Sequence, residues 1–250
     1  GSGLVDALES ILQDFPTPPP VPTITPTPTA TPIPTATPTP APQVLIWNAA
    51  QDYSSTQGHR DWWYLYLKGG TYLEMEYQEN PWGNLMWVAP NTAHYCGLWR
   101  SGQHPCEYEA VRKWLSPVYG LAKITGTARK GDIYGGDGVR FSIWKNDQKL
   151  CEENLDYDDA QGFNYDLTVN IKPGDALYFR VHRRGENNYN DATYFNPTIK
   201  VTSCPDGDKG NLDCDLQGLI NEIDLTILLN NWGNPYDEDY LKMLLSNWKV

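Results

Sequence analysis

Positive charge is what this sequence has least of. Lysine and arginine number 19 against 31 aspartates and glutamates, a formal net charge of −12. That balance excludes a phosphate-neutralising surface and, with it, a nucleic-acid partner. Histidine is scarce too, and His59, His94, His104 and His182 share no metal-ligand spacing. No apolar run reaches the length of a bilayer span, so no transmembrane segment is expected, and no signal peptide is visible. The nucleophile elbow, the paired-histidine zinc helix and the phosphate loop are all missing. Adjacent acids such as Glu152-Glu153 and Asp158-Asp159 would point to opposite faces of a strand, the wrong geometry for an acid/base couple. Together these absences predict a protein that is not an enzyme. N-glycosylation is excluded as well, because Asn196-Pro197-Thr198 carries the forbidden proline.

What the sequence does have is unevenly spread. Residues 16–42 hold 12 prolines and 9 threonines and no charged residue. Proline fixes φ and removes amide donors, so this stretch reads as an extended polyproline II stalk, roughly 80 Å long at about 3.1 Å per residue. Its threonines Thr23, Thr25, Thr27, Thr29, Thr31, Thr35, Thr37 and Thr39 are candidate O-glycosylation sites, as in stalks between extracellular modules. Ahead of it, in residues 1–15, Leu4, Val5, Leu8, Ile11, Leu12 and Phe15 form one helical face. That stripe either covers part of a neighbouring molecule or is the end of a preceding domain. Of the five cysteines, Cys96 and Cys106, and likewise Cys204 and Cys214, are separated by nine residues. Two local disulfides with Cys151 left free are the expectation, which places the protein outside the cell, secreted or surface-attached.

Residues 43–203 read as all-β. Period-two alternation runs through WWYLYL (62–67), TYLEMEY (71–77), VRFSIW (139–144), YDLTVNI (165–171) and ALYFRVH (176–182), with Gly, Asn and Asp turns between. Residues 204–250 change period: ILLNNW (227–232) and MLLSNW (243–248) repeat at an offset of 16, an internal duplication of a short helix. The predicted fold is mainly β, a jelly-roll-like antiparallel β-sandwich with a small α-helical calcium-binding C-terminal module and an extended Pro/Thr-rich N-terminal stalk.

The calcium prediction comes from spacing. Six acidic residues lie between Asp206 and Asp224 against one lysine. With Asp213 as position one of a twelve-residue loop, Asp215 falls at three, Gln217 at five, Gly218 at the sharp turn, Asn221 at nine and Asp224 at twelve. The carbonyl of Leu219 completes the set at position seven, and Ile220 anchors the loop. Ca2+ prefers six to eight oxygen ligands of this kind.

This loop, followed by DLTILLNNWG, resembles a dockerin, the module whose loop-plus-helix repeats bind calcium and dock onto cohesin domains. The chain departs from that pattern: the offset leaves no room for a second loop, and Asp237, Glu238 and Asp239 are placed to cap the second helix. In the preceding region, segments such as DWWYLYL, GDGVRFSIWKNDQ and GDALYFRVHRRGENNYNDATYFNPTIKV look similar to β-sandwich modules appended to secreted bacterial glycan-active proteins. That resemblance implies exposed aromatic side chains that stack on sugars, with Trp82, Trp87 and Trp99 as candidates in the irregular stretch 80–106. Separately, Asp52 and Asp191, acidic residues near the first and last strands, are expected to share a structural calcium.

The leading expectation is a non-catalytic subunit of an extracellular assembly, contacting other copies of itself or a scaffold protein through the N-terminal segment and the calcium-stabilised tail. The alternative is a carbohydrate-binding module on a glycosylated stalk, binding polysaccharide and tethered through the dockerin-like tail.

Overall fold

The computed structural model describes residues 43–92, 95–203, 222–230 and 238–248. The chain divides into two units, Gly1–Pro38 and Thr39–Val250, and every described residue belongs to the second. The N-terminal stripe, the Pro/Thr stretch with its threonines, Cys204, Cys214 and the loop positions Asp213, Asp215, Gln217, Leu219 and Asn221 lie outside the described residues.

Among the described residues, fifteen strands form two antiparallel sheets. The first runs in the order β1 (Val44–Asn48), β15 (Thr198–Ser203), β9 (Gly120–Lys130), β14 (Thr193–Phe195), β7 (Gly102–His104), β6 (Gly97–Trp99), β5 (Leu85–Val88) and β4 (Glu76–Glu79), with β12 (Phe163–Ile171) also paired to β9. The second runs β11 (Gln148–Leu155), β10 (Val139–Lys145), β13 (Ala176–Arg183), β8 (Glu109–Leu115), β2 (Trp62–Lys68) and β3 (Thr71–Glu74). A short 3-10 turn, His59–Asp61, leads into β2.

Alternation decides which face each strand buries. In β10 Val139, Phe141 and Ile143 are buried, and in β13 Leu177, Phe179 and Val181, paired across the strands as Phe141 with Val181 and Ile143 with Phe179. The core between the sheets is aromatic. Trp47 meets Trp114 edge-on with centroids 5.1 Å apart, and Phe195 meets Phe141 at 5.3 Å and Phe179 at 5.7 Å. Edge-to-face pairs of this kind add about 0.5–1.5 kcal/mol beyond the area they bury. Gly69 and Gly70, both at positive φ, make the two-residue turn between β2 and β3 that only glycine-like residues tolerate.

One strand expectation is corrected. TYLEMEY is two strands in different sheets, Thr71–Glu74 in the second and Glu76–Glu79 in the first. The break is at Met75, which is buried and donates its amide to the Tyr64 carbonyl at 3.0 Å. Burying Met75 turns the chain over the edge of the sandwich.

After β15 come two helices, α1 (Glu222–Asn230) and α2 (Glu238–Asn247). Leu228 and Leu244, equivalent across the 16-residue duplication, are both fully buried and pack with Tyr240 against Tyr119 of the sandwich. The Lys172 ammonium sits 4.9 Å from the Tyr240 ring centroid, a second contact from the same domain. Asp224, the last position of the predicted calcium loop, is buried in α1.

Cys96 and Cys106 are free thiols in this structure, and so is Cys151. The first two are side by side at a corner shaped by Tyr108, whose carbonyl accepts from the Cys96 thiol at 3.9 Å and whose amide donates to Cys106 Sγ at 3.4 Å. Burial pushes the Cys96 thiol well above its ordinary pKa.

Candidate functional site

Beside β5, β6 and β7 the sandwich opens into two clefts, of about 470 Å3 and about 530 Å3. Trp82, at 67% exposure, forms a wall common to both. Asn80 holds it there: its side-chain oxygen accepts the amides of Trp82 at 3.0 Å and Asn84 at 2.9 Å, and its own backbone amide pairs with the Asn84 carbonyl at 2.9 Å. This side-chain-to-backbone turn leaves the indole no core to enter. Tyr95 meets Trp82 edge-on at 4.9 Å, and its hydroxyl donates to Met86 Sδ.

Trp99, at the end of β6, is fixed from behind. Its carbonyl accepts Nη2 of the buried Arg112 at 2.7 Å, and its ring lies against Gly102. A Cβ at residue 102 would come within 2.5 Å of both the Trp99 ring and the Thr193 carbonyl, so only glycine lets the ring lie there.

Trp87, the third tryptophan expected to bind ligand, is instead a core residue at 4% exposure. It stacks on Tyr64 with centroids 4.9 Å apart and donates Nε1 to the Ser54 carbonyl at 2.9 Å. Its position in β5 turns it between the sheets, and nothing in the local pattern separates it from Trp82.

The first cleft is completed by residues the sequence reading missed. His104, Asp132, Asn188, Tyr189 and Asn190 join Trp82, Tyr95 and Trp99 around it. Tyr189 is 74% exposed, on a loop where Asn190 adopts φ 60°. Asn188 is held by its Nδ2, which donates to the carbonyls of Tyr95 and Pro105, each at 3.3 Å. Burial holds the His104 pKa below its ordinary value, and its Nδ1 donates to the Pro105 carbonyl at 2.7 Å, so a neutral imidazole faces the cleft. The only local hint of this wall was the Asn-rich run Asn187–Asn190, which lies about ninety residues beyond Trp99.

Beneath this wall lies a fully buried ion pair. Lys130 Nζ, at the end of β9, donates to the Asn190 carbonyl at 2.5 Å and lies 3.4 Å from Asp191 Oδ1. Burial pushes the Asp191 carboxyl up to about 7, with Lys130 working against that rise. The expected calcium shared by Asp52 and Asp191 is therefore corrected, because an ammonium already stands beside Asp191. Asp52 is engaged elsewhere, accepting the Asn48 amide at 2.8 Å and pairing with Arg60 at 3.5 Å. Among the described residues, no group of three or more His, Cys, Asp or Glu side chains is arranged to hold a metal. Nor is any described helix long and apolar enough to cross a membrane.

The site is thus a pair of aromatic-walled clefts with amide, imidazole and carboxylate groups at their margins. Such a surface can stack on a flat apolar face while hydrogen-bonding the polar groups around it.

No protein-family model matches the chain, and no curated protein sequence matches it. Among solved structures it is similar to CBM51 from Clostridium perfringens GH95 in complex with methyl-galactose, at 11% identity and TM-score 0.31, over 63% of this chain and 100% of that one. CBM51-2 with the INT domains of Clostridium perfringens ZmpB, in complex with GlcNAc, matches at 14% identity and TM-score 0.31, over 75% of this chain and 40% of that one. Pika GITRL matches at 12% identity and TM-score 0.26, over 57% of this chain and 97% of that one. Likenesses of this size assign the chain to no family.

Proposed function

We propose that this chain is a non-catalytic carbohydrate-binding protein, secreted or held at a cell surface, whose sandwich binds glycan through the Trp82, Tyr95, Trp99 and Tyr189 clefts. The observation that carries the reading is Trp82 itself: a large indole held out of the core by a dedicated Asn80 turn and flanked by other aromatic rings. A pyranose presents C–H groups on one face and hydroxyls around its rim. Aromatic faces bind the first, and Asn188, Asn190, Asp132 and His104 are suited to the second.

A glycan-array screen followed by calorimetry tests this. Trp82→Ala and Trp99→Ala are each expected to weaken binding at least about tenfold, the scale of one lost stacking contact. Trp82→Ala should leave the melting temperature unchanged, since its ring stabilises little of the core. A screen without hits, or full affinity in both variants, would sink the reading.

The tail is proposed to bind Ca2+ through Asp213, Asp215, Gln217, the Leu219 carbonyl, Asn221 and Asp224, and to dock the module onto a scaffold or another copy of the chain. Two observations support docking: Leu229 and Leu245, equivalent in the two helices, are both exposed while their neighbours Leu228 and Leu244 are buried. Calcium at about 100 times its Kd would add about 2.7 kcal/mol to folding. The expected result is a calcium-dependent rise in Tm that Asp213→Ala removes. A melting curve indifferent to chelator would count against the metal, and a monodisperse monomer at all calcium levels would count against self-association.

A further inference from the structure

The two clefts are not independent. Trp82, Tyr95 and Trp99 line both, so the aromatic wall has a cavity on each side. Each cavity also has its own charge. Of the residues around the first, Asp132 is the acid, and His104 there is neutral. Of those around the second, Arg100 is the charged residue. The Arg100 side chain is exposed, and among the described residues one of its five N–H donors is engaged, Nη1 donating to the Ala50 carbonyl at 3.4 Å.

We propose that the two clefts are adjoining subsites of one oligosaccharide site, an uncharged sugar occupying the Asp132 side and an acidic sugar the Arg100 side. The proposal rests on the carbohydrate reading above. A single sugar ring can lie on one side of the wall, whereas a chain of two or more can use both. A guanidinium fork matches a carboxylate or sulfate in two-point geometry, while Asp132 repels a second anion and so sets the order of the two units. In a chain of net charge −12, an arginine on this rim with no carboxylate partner among the described residues is a local exception, and it falls where an anionic sugar needs it.

Calorimetry decides the matter with a set of uronate-containing tetrasaccharides (hyaluronan and chondroitin), neutral tetrasaccharides (chitotetraose and cellotetraose) and the component monosaccharides. The expected result is that a uronate-containing tetrasaccharide binds at least about tenfold tighter than every neutral one and than any monosaccharide, with a preference that shrinks as salt rises. Arg100→Ala should erase that preference by lowering uronate affinity to that of the neutral chains; because Arg100 is exposed, its loss is compatible with folding. A neutral best ligand, equal binding of monosaccharide and tetrasaccharide, or a preference that survives Arg100→Ala each overturns the proposal while leaving carbohydrate binding in place. Failure of every glycan to bind overturns both.

Discussion

Replacing Lys130 by methionine is expected to destabilise the sandwich by about 3–5 kcal/mol at pH 8, the cost of leaving one partner of a buried ion pair without the other. Both side chains are fully buried, and Lys130 Nζ also holds the Asn190 carbonyl, so the loop that carries Tyr189 loosens with the pair. In a domain of this size the loss corresponds to a fall in Tm of roughly 10 °C.

The penalty depends on pH in a definite direction. The Asp191 carboxyl titrates near 7 in the fold, above its ordinary value of 3.8. Its contribution to stability is therefore fully present below about pH 4 and is lost as pH rises through about 7. Lys130→Met removes the nearest cation and favours the neutral acid further, so the variant should be less damaged at pH 5 than at pH 8. Adding Asp191→Asn should recover at least half of the loss at pH 8. Thermal unfolding at the two pH values checks each point, and a Lys130→Met protein that melts like the parent at pH 8 would contradict the buried-pair account.

Arg112 carries the second large effect, and it separates stability from binding. Its guanidinium is wholly buried, with Nη2 on the Trp99 carbonyl at 2.7 Å and the Tyr64 ring centroid at 5.9 Å. The groups that bear on its charge are Tyr64, Tyr53 and Tyr165, none a carboxylate, and burial lowers its pKa. Nε and Nη1 have no hydrogen-bond partner among the described residues. Truncation to alanine should cost about 3–5 kcal/mol, mostly as a cavity. Methionine fills much of that volume and removes a poorly compensated charge, so Arg112→Met should cost far less than Arg112→Ala. It also removes the donor that holds Trp99, so glycan affinity should drop while Tm is largely kept. If Arg112→Met and Arg112→Ala melt alike, or if Arg112→Met binds glycan at full strength, Arg112 does not position Trp99.

Legibility followed the range of the physics involved. The alternations of β10, β12 and β13 could be read directly because side-chain direction along a strand is set by neighbours one and two residues away. The duplicated helix was legible for the same reason: the repeat at an offset of 16 places Leu228 and Leu244 at equivalent positions, and both are buried. TYLEMEY misled because alternation continues through Met75, whereas the change of sheet there depends on what lies beneath it. The tryptophans were harder. Trp82 and Trp87 share one stretch and one chemistry, yet the first is held outside by the Asn80 turn and the second is stacked on Tyr64.

What the sequence determined by itself was therefore the local and compositional: an acidic, lysine-poor chain without a membrane-length run, strands of period two, a duplicated helix, and the regular spacing of oxygen-bearing side chains from Asp213 to Asp224 on which the calcium proposal rests. The tertiary structure alone decided which aromatic rings face solvent, that Tyr189 and Asn188 close a cleft opened by Trp82 and Trp99, and that Lys130 stands beside Asp191, sixty-one residues away. Local spacing is blind to these. They depend on which strands pair, and pairing is chosen by the burial of the whole aromatic core between the sheets rather than by any one segment.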